Sequence, residues 1–172
     1  MKKAQIWVET VIYTLIGLAI IGLLLSIVTP AIKKRQDKIL IETSMEMLSS
    51  IESIIEEVKY RGAGNSRPIE FRIRKGKLEF DSINDKINFS IETNYKYSEP
   101  EEVIKKGKLN ILTDKKTEKV YDVFLSLDYS SSLNLSWNEK EDIRSFQNSP
   151  SLNIVFATNK GKRGNMINID FS

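Results

Sequence analysis

The chain opens with an apolar stretch that has no polar face. From Thr10 to Ile32 there is no charged residue. The run from Val11 to Val28, which includes Val11, Ile12, Leu15, Ile16, Leu18, Ile20, Ile21, Leu23 and Leu24, is apolar all round a helix. A helix lying on a water-soluble domain keeps a polar stripe. A helix of about 20 apolar residues crosses about 30 Å of hydrocarbon. The pattern therefore predicts a membrane-spanning helix. A buried core helix would need more protein around it than the rest of this chain supplies. A secretory signal peptide has a shorter apolar core and a small-x-small cleavage site. Here the run leads instead into Thr29-Pro30-Ala31-Ile32 and the basic cluster Lys33-Lys34-Arg35.

Beyond Pro30 the pattern becomes amphipathic. Ile32, Ile39, Leu40, Met47, Leu48, Ile51, Ile54, Ile55 and Val58 recur at spacings of three and four, opposite Glu42, Glu46, Ser49, Ser53, Glu56 and Glu57. This predicts one long helix over 5–61, bent near Pro30. Its 5–32 part is apolar and its 33–61 part amphipathic. Arg61-Gly62 supplies a basic last turn and a glycine stop.

Residues 62–68 read as a loop. After them the apolar period falls to two: Ile69, Phe71 and Ile73, then Leu78 and Phe80 across a short turn at Lys75-Gly76. Ile87 to Tyr97, Leu109 and Ile111, Tyr121 to Tyr129, Leu133 to Trp137, Leu152 to Phe156 and Ile167 to Phe171 continue it. About eight short strands, each with one buried face, predict an antiparallel β-sandwich head over 69–172. The fold class expected is α+β, a long membrane-spanning helix followed by this head.

Composition removes several chemistries. The 172 residues include no Cys and no His, so thiolate nucleophiles, histidine bases, disulfides and Cys/His metal sites are excluded. The net charge of +3, from 26 basic and 23 acidic residues, is too balanced to suggest nucleic-acid binding without a concentrated patch, and no nucleic-acid partner is expected. Glu101-Glu102 and the Glu139, Glu141, Asp142 group sit between strands and read as solvated loop charges. Asp81-Ser82-Ile83-Asn84-Asp85 lacks the glycine and distal glutamate of a calcium loop. Ser130-Ser131-Ser132 reads as a turn. No enzyme activity, metal or cofactor is expected. Two sequons, at Asn88 and Asn134, fall in the polar phase of their strands, where either asparagine could carry a glycan.

The residues before the apolar run add a more specific signal. Lys2-Lys3-Ala4 is basic and ends in a small residue; Gln5 follows, and Glu9 places a carboxylate at the membrane edge. Read alone, Glu9 is an interfacial carboxylate that snorkels to water beside the aromatic anchor Trp7. Lys-Lys-Ala, then Gln, then Glu four residues on, then an unbroken apolar helix together resemble the class III signal peptide of archaeal type IV pilins and archaellins. The resemblance covers about the first thirty residues. A helix followed by an all-β head also fits the plan of that family, and many of its leaders have Gly where Ala4 stands and a small polar residue where Trp7 stands.

That resemblance implies that residues 1–4 form a leader cut between Ala4 and Gln5 by a prepilin peptidase, while the apolar segment is retained. Gln5 becomes the mature N-terminus, and Glu9 neutralises its own or a neighbour's amine during assembly. The implied partners are copies of the same chain or other pilins, the peptidase, a filament assembly platform, and the bilayer before assembly. The implied location is a single-pass membrane protein that becomes an extracellular filament serving adhesion or motility. Two other readings stay open: a single-pass anchored β-sandwich binding module that does not polymerise, and a minor pilin or pseudopilin of a secretion system. Lys33-Lys34-Arg35 has three readings: contact with anionic lipid head groups, a place on a filament surface, or, since it outweighs Lys2 and Lys3, a mark of the cytoplasmic side by the positive-inside rule, which favours a cytoplasmic head.

Overall fold

In the computed structural model the described residues are 2–161 and 164–171, with side chains described from Trp7 to Thr158 and from Met166 to Asp170. One helix, α1 (Lys2–Arg61), leads into ten strands. The chain divides into two compact units, Met1–Gln36 and Asp37–Ser172. The helix continues through Pro30. There the missing N–H leaves the Ser26 carbonyl without its helical donor. It ends at Gly62, whose φ of 81° is open to glycine and whose N–H reaches the carbonyls of Val58 and Lys59.

The strands of the second unit form two sheets. In chain order they are β1 (Ser66–Phe71), β2 (Lys77–Asp81), β3 (Lys86–Thr93), β4 (Val103–Lys106) and β5 (Leu109–Lys115), then β6 (Tyr121–Asp128), β7 (Asn134–Trp137), β8 (Ile143–Gln147), β9 (Leu152–Gly161) and β10 (Gly164–Phe171). A four-stranded sheet runs β1-β9-β10-β7 and a six-stranded sheet runs β4-β5-β6-β3-β2-β8. Their inner faces meet. Phe80 of β2 lies 5.7 Å from Trp137 of β7 and 6.3 Å from Phe156 of β9, ring centre to centre. The arrangement is sandwich-like, with two open sheets.

Four departures from the sequence reading have physical causes. First, β1 begins at Ser66, inside the segment expected as loop. Second, β10 pairs with β7 in parallel, so the four-stranded sheet is mixed rather than antiparallel. The chain leaves that sheet after β7 to make β8 and re-enters through β9, and such a crossover brings strands back parallel. Third, β1 and β2 are not a hairpin: residues 72–76 carry the chain from one sheet to the other. Fourth, β4 and β8 are extra strands. They are the two edges of the six-stranded sheet and are exposed along almost their whole length, so they lack an alternating buried face.

In the second unit α1 buries Asp37, Ile41, Ser44, Met45, Leu48, Ile51, Ile55 and Val58. The expected stripe ran partly out of phase, for Ile32 and Ile39 are exposed. Thr158 of β9 donates its hydroxyl to the carbonyls of Val58 and Gly62, fixing the helix end to the four-stranded sheet. At Glu56 the Lys108 ammonium donates a hydrogen bond that holds the carboxyl below its usual range.

The turn before β2 has no room for a side chain. Gly76 has φ +99°, and a Cβ there would lie 2.6 Å from Phe89 Cζ and 2.7 Å from the Ser90 carbonyl oxygen. Phe89 is buried and Ser90 O is backbone, so neither gives way cheaply. Left-handed strain of about 1–2 kcal/mol and overpacking of about 1–3 kcal/mol add in the same direction. Gly76→Ala is therefore expected to destabilise the head by about 2–5 kcal/mol. The check is denaturant unfolding of the detergent-solubilised chain followed by Trp137 fluorescence, and an unchanged midpoint would refute it.

Candidate functional site

The feature that sets this molecule apart is the bare apolar segment of α1. Val11, Ile12, Leu15, Ile16, Leu18, Ile20, Ile21, Leu23 and Leu24 are each between 42% and 66% exposed. Trp7, at 75%, is more exposed still. The residues most apolar in the sequence are thus the least covered in the fold. Exposed apolar area of this extent marks an interaction surface for lipid or protein. The helix is long and apolar enough to cross a membrane.

Three hydroxyls within this segment turn onto their own backbone. Thr14 donates to the Thr10 carbonyl at 2.8 Å, Ser26 to Leu23 at 2.7 Å, and Thr29 to Leu25 at 2.7 Å. Hydroxyls satisfied this way leave no donor that needs water, the condition for residence in an apolar medium. Gly17 and Gly22 have no Cβ, yet one added at either position meets nothing within 4 Å. No neighbour among the described residues requires those glycines, although each weakens a helix by about 1 kcal/mol relative to alanine.

Glu9 is the exception to the apolar pattern. It is exposed and accepts one hydrogen bond, from the Tyr13 hydroxyl at 3.3 Å. No cation lies within ion-pair distance of it among the described residues. Ala4 and Gln5, the expected cleavage pair, lie on helical backbone, and their side chains fall outside the described residues.

In the head, the expected glycan carriers lie apart. Asn88 is half-buried in β3, between Glu79 of β2 and Ser126 of β6. Asn134 is half-buried at the start of β7, in register with Met166. Asp81 caps a tight turn, accepting from the Ile83 and Asn84 amides and from the Asn84 side chain. Asp142 holds Arg144 at 2.7 Å. No cluster of three acidic residues is placed to hold a metal among the described residues.

One residue with a clear positional role escaped the sequence reading. Asp37, almost fully buried, accepts from the Asn94 amide at 2.7 Å and the Asn94 side chain at 3.2 Å, and faces Lys75 Nζ at 3.4 Å. It ties the start of the buried stripe to the loops before β2 and after β3. Its signal was phase: Asp37 stands four residues before Ile41 and eight before Met45, on the buried face, but the adjoining Lys33-Lys34-Arg35 made it look like part of a charged cluster.

The architecture defines an α+β protein with a bare apolar N-terminal helix and a two-sheet head. No protein-family model matches this chain, and no curated protein or solved structure matches it.

Proposed function

We propose that this chain is the structural subunit of a surface filament of the type IV pilus or archaellum kind. It enters the membrane as a precursor, loses residues 1–4, and polymerises through the apolar part of α1 while displaying the β head for adhesion or motility. The observation that carries this reading is the all-round exposure of residues 7–32. Lipid covers such a surface in a single molecule, and identical helices cover it in a fibre. A plain anchor accounts for the apolar length but not for three further features. Those are the carboxylate at Glu9, the two glycines that serve no contact among the described residues, and the Lys2-Lys3-Ala4-Gln5 sequence ahead of them.

Lys33-Lys34-Arg35 favours a second reading, a membrane anchor whose head stays in the cytoplasm. The two differ in a measurable mass. Intact-mass and N-terminal analysis of the membrane and sheared-surface fractions is expected to give a chain starting at Gln5, enriched in the sheared material. A chain that keeps Lys2 and Lys3 and stays in the membrane fraction would remove the filament reading and leave the anchor.

A further inference from the structure

The six-stranded sheet has two unfinished edges. β4 is exposed at every residue, with Val103 at 54%. β8 is exposed at all positions but Phe146, with Ile143 at 45%. Exposed edge strands offer unpaired backbone groups, and proteins commonly block them with proline, bulges or charge. The four-stranded sheet does so at β1, where Pro68 removes a donor. Neither β4 nor β8 contains proline; what they carry is charge, Lys105 and Lys106 on β4 and Arg144 on β8, which bars like-charged pairing and leaves an acidic partner acceptable. An outward-facing row of side chains, Phe124, Leu112 and Val103, is aligned across β6, β5 and β4 and stops at the β4 edge.

We propose that β4 of one copy pairs antiparallel with β8 of a second copy, so that the sheet continues from head to head. Three observations identify the occupant as another copy of this chain. Every neighbouring pair in the six-stranded sheet is antiparallel. With six strands the two edges therefore run in opposite directions, and a second head in the same orientation presents β8 antiparallel to β4 without turning over. Charge matches at the corresponding end. Lys106 lies on the same cross-sheet row as Arg144, through Leu109, Leu127, Ile87 and Phe80. The Lys105-Lys106 end of β4 and the Glu141-Asp142 approach to β8 are therefore at one end of the sheet. A two-residue offset keeps each side chain on its face, sets Lys106 against Asp142 and Lys105 against Ile143, and relieves the Lys106–Arg144 clash of like charge. Lys105 and Lys106 form no ion pair among the described residues. Such a contact is heterologous, and between heads in the same orientation it extends into a row.

The chain has no cysteine, which makes disulfide trapping unambiguous. The full-length chain is reconstituted in lipid vesicles carrying Lys105→Cys together with Ile143→Cys, and separately Lys105→Cys with Ser145→Cys to cover the unshifted register. Mild oxidation is expected to give a ladder of dimers, trimers and longer species in one of the two. In the offset register adding Lys106→Glu is expected to abolish the ladder and adding Asp142→Lys to the same chain to restore it, whereas in the unshifted register, where Lys106 faces Arg144, Lys106→Glu is expected to strengthen it; Trp137 fluorescence stays unchanged throughout. Absence of a ladder from both double variants would overturn the pairing. So would dimers from Lys105→Cys alone or Ile143→Cys alone, which would place like edges together, or a ladder indifferent to charge.

Discussion

Glu9→Gln is expected to abolish filament assembly while leaving membrane insertion intact, and Glu9→Val to do the same. In the mature form proposed here, cutting after Ala4 exposes an α-amine on Gln5, four residues before Glu9 on one helix. Groups at that spacing stand about 5–6 Å apart, so the carboxylate can reach its own amine or that of a copy set beside it. Once apolar helices leave lipid and pack together, an unpaired amine in their midst is unfavourable by several kcal/mol. Glu9 removes that cost only in the register that brings the two charges together. Glutamine keeps the shape and loses the charge, which makes it the sharper of the two changes. Insertion depends on Thr10 to Ile32, which neither variant touches, and losing a carboxylate near lipid can only ease it. The comparison is between filament yield in sheared fractions and variant content of the membrane. Normal filaments from Glu9→Gln would show that the charge of Glu9 does not set the register.

How far the fold was legible follows from what each residue faces. The apolar segment was plain because no tertiary contact edits it. The interior strands were plain because each alternates, as Ile87, Phe89 and Ile91 do against Lys86, Asn88 and Ser90 in β3. β4 and β8 were missed because an edge strand is held by backbone hydrogen bonds on one side and need bury nothing. Val103-Ile104-Lys105-Lys106 therefore carries no period. The phase of α1 beyond Pro30 follows, in the sequence, from apolar residues set opposite glutamates and serines. The structure sets it partly by Asp37 and Ser44, polar groups whose partners, Asn94 and the Leu40 carbonyl, satisfy them in place. The parallel β7–β10 pair could not be read locally, since it depends on which sheet the intervening strands join. Of the candidate site, the sequence displayed the segment and Glu9. It held no sign of the two exposed edges of the six-stranded sheet, which exist only once the strand order is known.

The largest loss of stability is expected from Phe80→Ala. Phe80 is fully buried, and its ring meets three others: Trp137 at 5.7 Å and 40°, Phe146 at 6.1 Å and 69°, and Phe156 at 6.3 Å and 59°. Those partners come from β7, β8 and β9, so this one side chain joins the six-stranded sheet to the four-stranded one. Removing a buried phenylalanine costs about 3–5 kcal/mol through lost transfer energy and the cavity left behind. The tilted and edge-on ring pairs place this site toward the upper end, since such pairs add about 0.5–1.5 kcal/mol each beyond burial. Domains of this size hold only about 5–15 kcal/mol in all, so the variant head should be partly unfolded or close to it. Phe80→Leu keeps most of the volume and should cost clearly less, which separates cavity from fold failure. Trp137 lies within the cluster and reports it directly. A Trp7→Phe background removes the other indole, which is exposed on the apolar segment. A loss under about 1 kcal/mol in denaturant unfolding would mean that the aliphatic residues Leu135, Ile154, Ile167 and Ile169 hold the two sheets together without it.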